Sequence, residues 1–414
     1  MAKKKEQRSE DLFFNSIAEN VNNTNRLIEN AVFSDVATRS EVAFRRRPEV
    51  EDRMRAPFER DRHRIIFSTG YRGYRGRTQV FILANYQIAD RMVHVNYVAQ
   101  VARMLAKALK LNSDLAEAIA VAHDIGHAPF GHDGEKILND ISLEYKLGEF
   151  HHNIQGVRVV DVLERGGRGL NLTFQVRDGI FSHDGEVHNV RLLPEKNKDE
   201  KTLQAQMKAL TDGKRVRTFP ATMEGCVMRV SDTIAYIGSD IEDAIRLGII
   251  KMTDLPKKCL RILGNTNGEI IDTIISDIIR NSYEKEYVSF SDDISEAVKM
   301  LKGWNYHKIY VPWKESKAPV YRKWQEEQRK VKEGLYKMFE TFSRDIESGN
   351  DDSLICQDFL DKMSDAYLTD KKNTALLKVR DYITTMTDEY AANIIAGLTV
   401  PKPMFTGVNA WIHK

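Results

Sequence analysis

Three cysteines in 414 residues, Cys226, Cys259 and Cys356, are isolated, odd in number and outside any CxxC spacing. They exclude a disulfide framework and a zinc knuckle, so any metal here is held by histidine and carboxylate. No window approaches the roughly 18 uncharged apolar residues of a membrane span, and no apolar signal stretch follows the basic start MAKKKEQRSEDLFF. These two absences predict a cytoplasmic chain with no membrane contact. The chain also has almost no net charge, +2 from 62 basic and 60 acidic residues, and its 42% hydrophobic and 29% charged fractions exclude global disorder. The length suits one large domain or two to three ordinary ones.

The small net charge hides a local asymmetry: positions 45–77 carry eleven arginines against five acids. The planar guanidinium fork matches phosphate oxygens, so this density suits a phosphate-bearing ligand or single-stranded DNA. A solvated or oligomer-contact face is the alternative reading. Residues 1–56 read as a polar N-terminal arm with one helix, 57–250 as a helical core, and 251–414 as a C-terminal helical region completing the fold. Val95, Val98, Ala99, Ala102, Leu105, Ala106 and Leu109 recur at helical spacing. A second helix is expected from an N-cap at Ser113 to about 124, and a third over 221–247. Further helices are expected over TIISDIIRNSY, KWQEEQRKVKEGLYKMFETF and VRDYITTMTDEYAANII, with VSFSD and KIYVPW as short strands. The Lys-rich 187–220 segment reads as a surface excursion or lid. The predicted fold class is predominantly all-α.

Six of the eleven histidines lie between positions 94 and 152, and 123–135 reads HDIGHAPFGHDGE. Imidazole and carboxylate together suit Mn, Fe, Mg or Zn in a hydrolytic site. If the helices carrying His94 and His123 form an antiparallel hairpin, both histidines fall toward its open end. Asp232, Tyr236 and Asp240 sit at i, i+4 and i+8, on one stripe of the 221–247 helix. An acid within an otherwise apolar helix needs a partner, which a bound cation, an N-cap contact or a salt bridge would supply. His152 and His183 are candidates for contacts to phosphate or to the residues holding the metal.

His94, His123-Asp124 and Asp232 follow the H…HD…D pattern of the HD superfamily of metal-dependent phosphohydrolases. The chain further resembles the deoxyguanosine triphosphate triphosphohydrolase branch, in RAPFERDRHRII (55–66), RGRTQVF (75–81), HDIGHAPFGHDGE, HHNIQ (151–155), SDTIAYIGSDIED (231–243) and DYITTMTDEYA (381–391). The resemblance implies hydrolysis of a deoxynucleoside triphosphate (dNTP) to deoxynucleoside and tripolyphosphate. It implies one divalent metal on His94, His123, Asp124 and Asp232, with Mn or Mg foremost and Fe, Co, Ni or Zn as alternatives. His132 and Glu135 correspond to an acid/base pair, Arg91 and His127 to phosphate contacts, and Gln79, Tyr236 and Asp240 to the sugar pocket. It also implies a homo-oligomer, at least a dimer. Two departures from the family pattern bear on substrate preference: Val93-His94-Val95-Asn96-Tyr97, where T-H-S-x-E is common, and Arg72-Gly73-Tyr74, where RRL is usual. The remaining readings are an HD phosphodiesterase or 5′-nucleotidase, or a nucleotide or single-stranded nucleic-acid binding protein.

Overall fold

The computed structural model describes residues 2–50, 52, 54–80, 88–185, 191–310 and 319–399. Helices dominate them, and among the described residues the one sheet is a two-stranded antiparallel pair, Arg191–Leu192 with Val288–Ser289. No helix among them is long and apolar enough to cross a membrane. A contiguous hydrophobic core runs from Ala37 to Ile394 and takes side chains from both 57–250 and 251–399.

The Arg91–Ala108 helix begins at Asp90, whose carboxylate accepts from the Val93 amide. Its apolar face (Val95, Val98, Ala102, Leu105) is buried against the helices Ser113–Ala120 and Met223–Arg246. The expected hairpin is present with two corrections. The second helix is capped by Asn112, whose side chain accepts from the Asp114 and Leu115 amides, rather than by Ser113. It also stops at Ala120, so His123 and Asp124 stand on a tight turn and not on the helix.

The described part of KIYVPW is not a strand: Tyr306–Tyr310 forms a π-helical turn at the end of the Asp292–Asn305 helix, and 311–313 lie outside the described residues. VSFSD does contain the strand Val288–Ser289. The 379–395 stretch splits into Ala375–Thr385 and Asp388–Thr399. Within the 187–220 segment lie the strand Arg191–Leu192 and the helix Glu200–Thr211, while 186–190 are outside the described residues. Lys198 holds this segment to the core, with its ammonium 2.6 Å from Asp178 and donating to the Ser182 hydroxyl and the Phe219 carbonyl.

The arginine-rich stretch is largely taken up by intramolecular pairs. Arg45 binds Asp61 and Glu49, Arg46 binds Asp161 and Glu200, Arg62 binds Glu117, and Arg64 binds Glu49. The end of the N-terminal arm docks through Glu224, a buried carboxylate that accepts from the Thr38 amide (2.9 Å), the Thr38 hydroxyl (2.7 Å) and the Asn112 amide (3.0 Å).

Candidate active site

The histidine-rich turn is held by close backbone approaches that only glycine allows. A Cβ on Gly126 would lie 2.1 Å from the His152 carbonyl and the Gly156 amide, and one on Gly134 would lie 1.8 Å from the Pro129 carbonyl. Phe130, at φ +67°, turns the chain into the Gly131–Glu144 helix that carries His132 and Glu135. Its amide donates to Asp388, which also accepts from the Thr78 amide, so one carboxylate joins the turn to the loop bearing Gln79. Fully buried Arg77 adds four bonds, to the carbonyls of Ile125, His127, Thr384 and Met386. The C-terminal motif DYITTMTDEYA thereby builds the wall behind the site.

His94, His123, Asp124 and Asp232 lie close together. His94 Nε2 lies 3.0 Å from Asp232 Oδ1 and 3.8 Å from Asp124 Oδ2, and His123 Nε2 lies 3.4 Å from Asp124 Oδ1 and 3.8 Å from Asp232 Oδ1. His123 Nδ1 donates to the Ala120 carbonyl at 2.7 Å, which leaves Nε2 as a lone pair. That buried Nε2 has no hydrogen-bond partner among the described residues. An orphaned imidazole acceptor beside two carboxylates is the donor set a divalent cation fits, and adjacent ligands on bonds of about 2.1 Å lie about 3 Å apart.

Burial opposes charge on Asp124, yet His123, Arg91 and His127 hold its carboxyl well below the usual range. Asp232 is likewise drawn down to about 2 against burial, chiefly by its bond to His94. Arg91, at the start of its helix, pairs with Asp124 and donates to the Thr78 carbonyl at 3.2 Å. His127 Nε2 sits 3.3 Å from Asp124, and burial, with Arg91 and His152 nearby, keeps its pKa far below the usual imidazole range.

The acid/base pair is looser than the resemblance implies. His132 Nδ1 stands 3.7 Å from Glu135 Oε2, and its side chain is 66% exposed. The closer partner of Glu135 is His152, whose amide and Nδ1 both donate to Oε1 at 2.9 Å. Burial alone would lower the His152 pKa, but the Glu135 carboxylate raises it to about 9.

These residues line a cavity of about 1120 Å³, together with Gln79, Tyr236 and Asp240. Gln79 is buried, and its Oε1 has no partner among the described residues. Asp240 accepts from the Tyr310 hydroxyl, and burial pushes its pKa up to about 7. Tyr310, Lys299, Lys302, Arg229 and Trp324 join the lining without having been singled out in sequence. Tyr310 lies in the segment expected as a strand, and nothing in its local pattern marks it. His183, a candidate on sequence, reaches the centre with Nε2 3.7 Å from Asp124. Of the family departures, Tyr97 is solvent-exposed and Tyr74 is buried, donating to the Val121 carbonyl at 3.2 Å.

Comparison with known proteins agrees with this geometry. Residues 91–212 match the HD domain family. A deoxyguanosinetriphosphate triphosphohydrolase-like protein of Caldanaerobacter subterraneus is 37% identical over 380 residues, covering 91% of this chain and 95% of that one. Proteins of the same description from Desulfatibacillum aliphaticivorans (34%, 87% of this chain and 92% of that one) and Clostridium perfringens (35%, 93% and 98%) are similar over nearly their whole lengths. An orphaned imidazole beside two carboxylates in a predominantly helical chain, aligned over most of its length with these relatives, leads to one conclusion: the chain belongs to the deoxyguanosinetriphosphate triphosphohydrolase-like family of HD-domain proteins.

Proposed function

We propose that this protein is a metal-dependent hydrolase that cleaves dNTPs at the α-phosphorus, releasing deoxynucleoside and tripolyphosphate. The observation that carries the reading is the cavity itself, which has His94, Asp124 and Asp232 on its wall, with His123 behind Asp124, and Gln79, Tyr236 and Asp240 along its side. A divalent cation, Mn or Mg foremost, held by those four residues would polarise a phosphoryl oxygen and acidify water.

The protein's own groups supply the rest. Arg91 and His127 carry donors for phosphate oxygens as negative charge builds on them. His132 gives its proton to the departing 5′-oxygen, because expelling an alkoxide at neutral pH is otherwise slow. Its exposure lets it recover a proton from solvent, and Glu135, 3.7 Å away, supports the imidazolium. Asp240 and Gln79 hold the sugar 3′-hydroxyl, and Tyr236 packs against the C2′ face, where a ribose hydroxyl would clash. The polar groups buried without partners, Gln79 Oε1 among them, support this division, since such groups are costly unless a ligand completes them.

The test is incubation with each dNTP, each ribonucleotide and a cyclic dinucleotide in Mn or Mg, with products separated by chromatography. Deoxynucleoside plus tripolyphosphate from dNTPs alone is expected. Orthophosphate release or a linearised dinucleotide would assign the cavity to another HD phosphohydrolase reaction.

A further inference from the structure

Arg229 lines the cavity from the Met223–Arg246 helix, which also carries Asp232, Tyr236 and Asp240, yet the roles given above leave it without a task. Its side chain is held from behind. Nε donates to the Gly185 carbonyl at 3.1 Å, and Nη1 donates to the carbonyls of Ser182 (3.2 Å) and Thr218 (2.7 Å). The guanidinium carbon stands 6.0 Å from the centre of the Phe219 ring. The approach needs a glycine at 185, where φ is +124° and a Cβ would lie 2.2 Å from Nη2.

This cation is 7% exposed, and no carboxylate among the described residues pairs with it; its hydrogen bonds all go to carbonyls. Burial lowers its pKa, and the field of Asp184 offsets that only in part. A buried charge is costly unless an opposite charge meets it. Three of the five guanidinium donors are spent on the carbonyls, so the two on Nη2 remain for a ligand. The group is thus fixed in direction and lacks an anion.

The helix orders what lies along it. Asp240, Tyr236, Asp232 and Arg229 follow one another at about one turn each on one face. With the sugar at Asp240 and Tyr236 and the α-phosphorus at Asp232, the phosphate chain leaving the sugar runs toward Arg229. One further turn, about 5 Å, is the reach of the two outer phosphates. Lys302, with Nζ 5.7 Å from the centre of the Tyr236 ring, stands instead on the sugar side.

We propose that Arg229 binds the terminal phosphate of the substrate through Nη2 and so selects triphosphates over diphosphates. The inference deepens the proposed function and rests on its placement of sugar and α-phosphorus.

The test is calorimetric titration of the manganese-loaded full chain with tripolyphosphate and with pyrophosphate, for wild type and Arg229→Gln, beside thermal melts that report folding. Wild type should bind tripolyphosphate about 10- to 100-fold tighter, the worth of hydrogen bonds to a charged group. Arg229→Gln should lose that ratio while its pyrophosphate affinity stays unchanged. No preference in the wild type, or a wild-type ratio in the folded variant, would overturn the proposal. Equal loss of both ligands would make Arg229 a brace for 182–185 and 218 and overturn it too. If the variant fails to fold, a crystal structure of the wild type with manganese and tripolyphosphate decides: a terminal phosphate on Nη2 supports the proposal, and one turned toward Lys302 overturns it. Failure of the proposed function reads differently. A ratio that depends on Arg229 in a protein without dNTP hydrolysis would keep the phosphate anchor and remove the hydrolase, whereas dNTP hydrolysis with the ratio untouched by Arg229→Gln would do the reverse.

Discussion

Asp240→Asn tests the sugar side of the cavity through stability, independently of catalysis. Asp240 is 3% exposed and accepts from the Tyr310 hydroxyl. Burial, reinforced by the Asp243 carboxylate and opposed by the Tyr310 bond, pushes its pKa up from 3.8 to about 7. Between those values the folded protein keeps a proton that the unfolded chain releases, so stability present at low pH is lost as pH rises through about 7. Each pKa unit is worth about 1.4 kcal/mol, so the gap of about three units costs about 4 kcal/mol above neutrality, and about 2 kcal/mol near pH 5. Asparagine keeps an oxygen for Tyr310 but carries no charge to bury. With an unfolding entropy of about 2 cal/mol/K per residue, a chain of this length should gain about 5 °C in Tm near pH 8, and about half that near pH 5. Thermal melts of metal-stripped wild type and variant across this range are the assay. A Tm difference that stays constant with pH, or that favours the wild type at high pH, would refute the assignment of a costly buried carboxylate to Asp240.

Three further substitutions separate the proposed roles. Asp124→Ala, which removes the carboxylate lying within 4 Å of His94, His123, His127 and His183, should abolish bound metal and hydrolysis together; full metal occupancy in the folded variant contradicts the assignment. His132→Ala removes no proposed metal ligand, so elemental analysis should find the metal retained while turnover falls by about 100- to 10,000-fold, the range of a positioned general acid. Unchanged turnover would give His132 another task. Tyr236→Ala should narrow the preference for dNTP over ribonucleotide and raise KM for dNTP. A wild type that hydrolyses both sugars equally would count against steric exclusion at C2′.

Much of the site is legible in the sequence because its chemistry is local. HDIGHAPFGHDGE places three histidines and three acids within thirteen residues, and the i, i+4, i+8 stripe of Asp232, Tyr236 and Asp240 needs nothing beyond helical geometry. The apolar repeat of 95–109 identifies its helix for the same reason. What escaped depends on contacts distant in sequence. Tyr310 reaches Asp240 across seventy positions from a π-helical turn that alternation read as a strand. The partnership of Glu135 with His152, closer than that with His132, depends on how the 152–158 helix seats against Gly126, which no spacing rule encodes. The pairing of the arginine-rich stretch is not legible, because composition counts charges but does not show that Asp161, Glu117 and Glu200 return to meet them.

The central claim is attack at the α-phosphorus. It is tested most directly by hydrolysing dGTP in isotopically labelled water and locating the heavy oxygen. Displacement of the tripolyphosphate-to-sugar linkage at phosphorus predicts the label in tripolyphosphate and none in deoxyguanosine, with activity lost in Asp124→Ala. Label in the nucleoside, or in orthophosphate released with dGDP, would contradict the account.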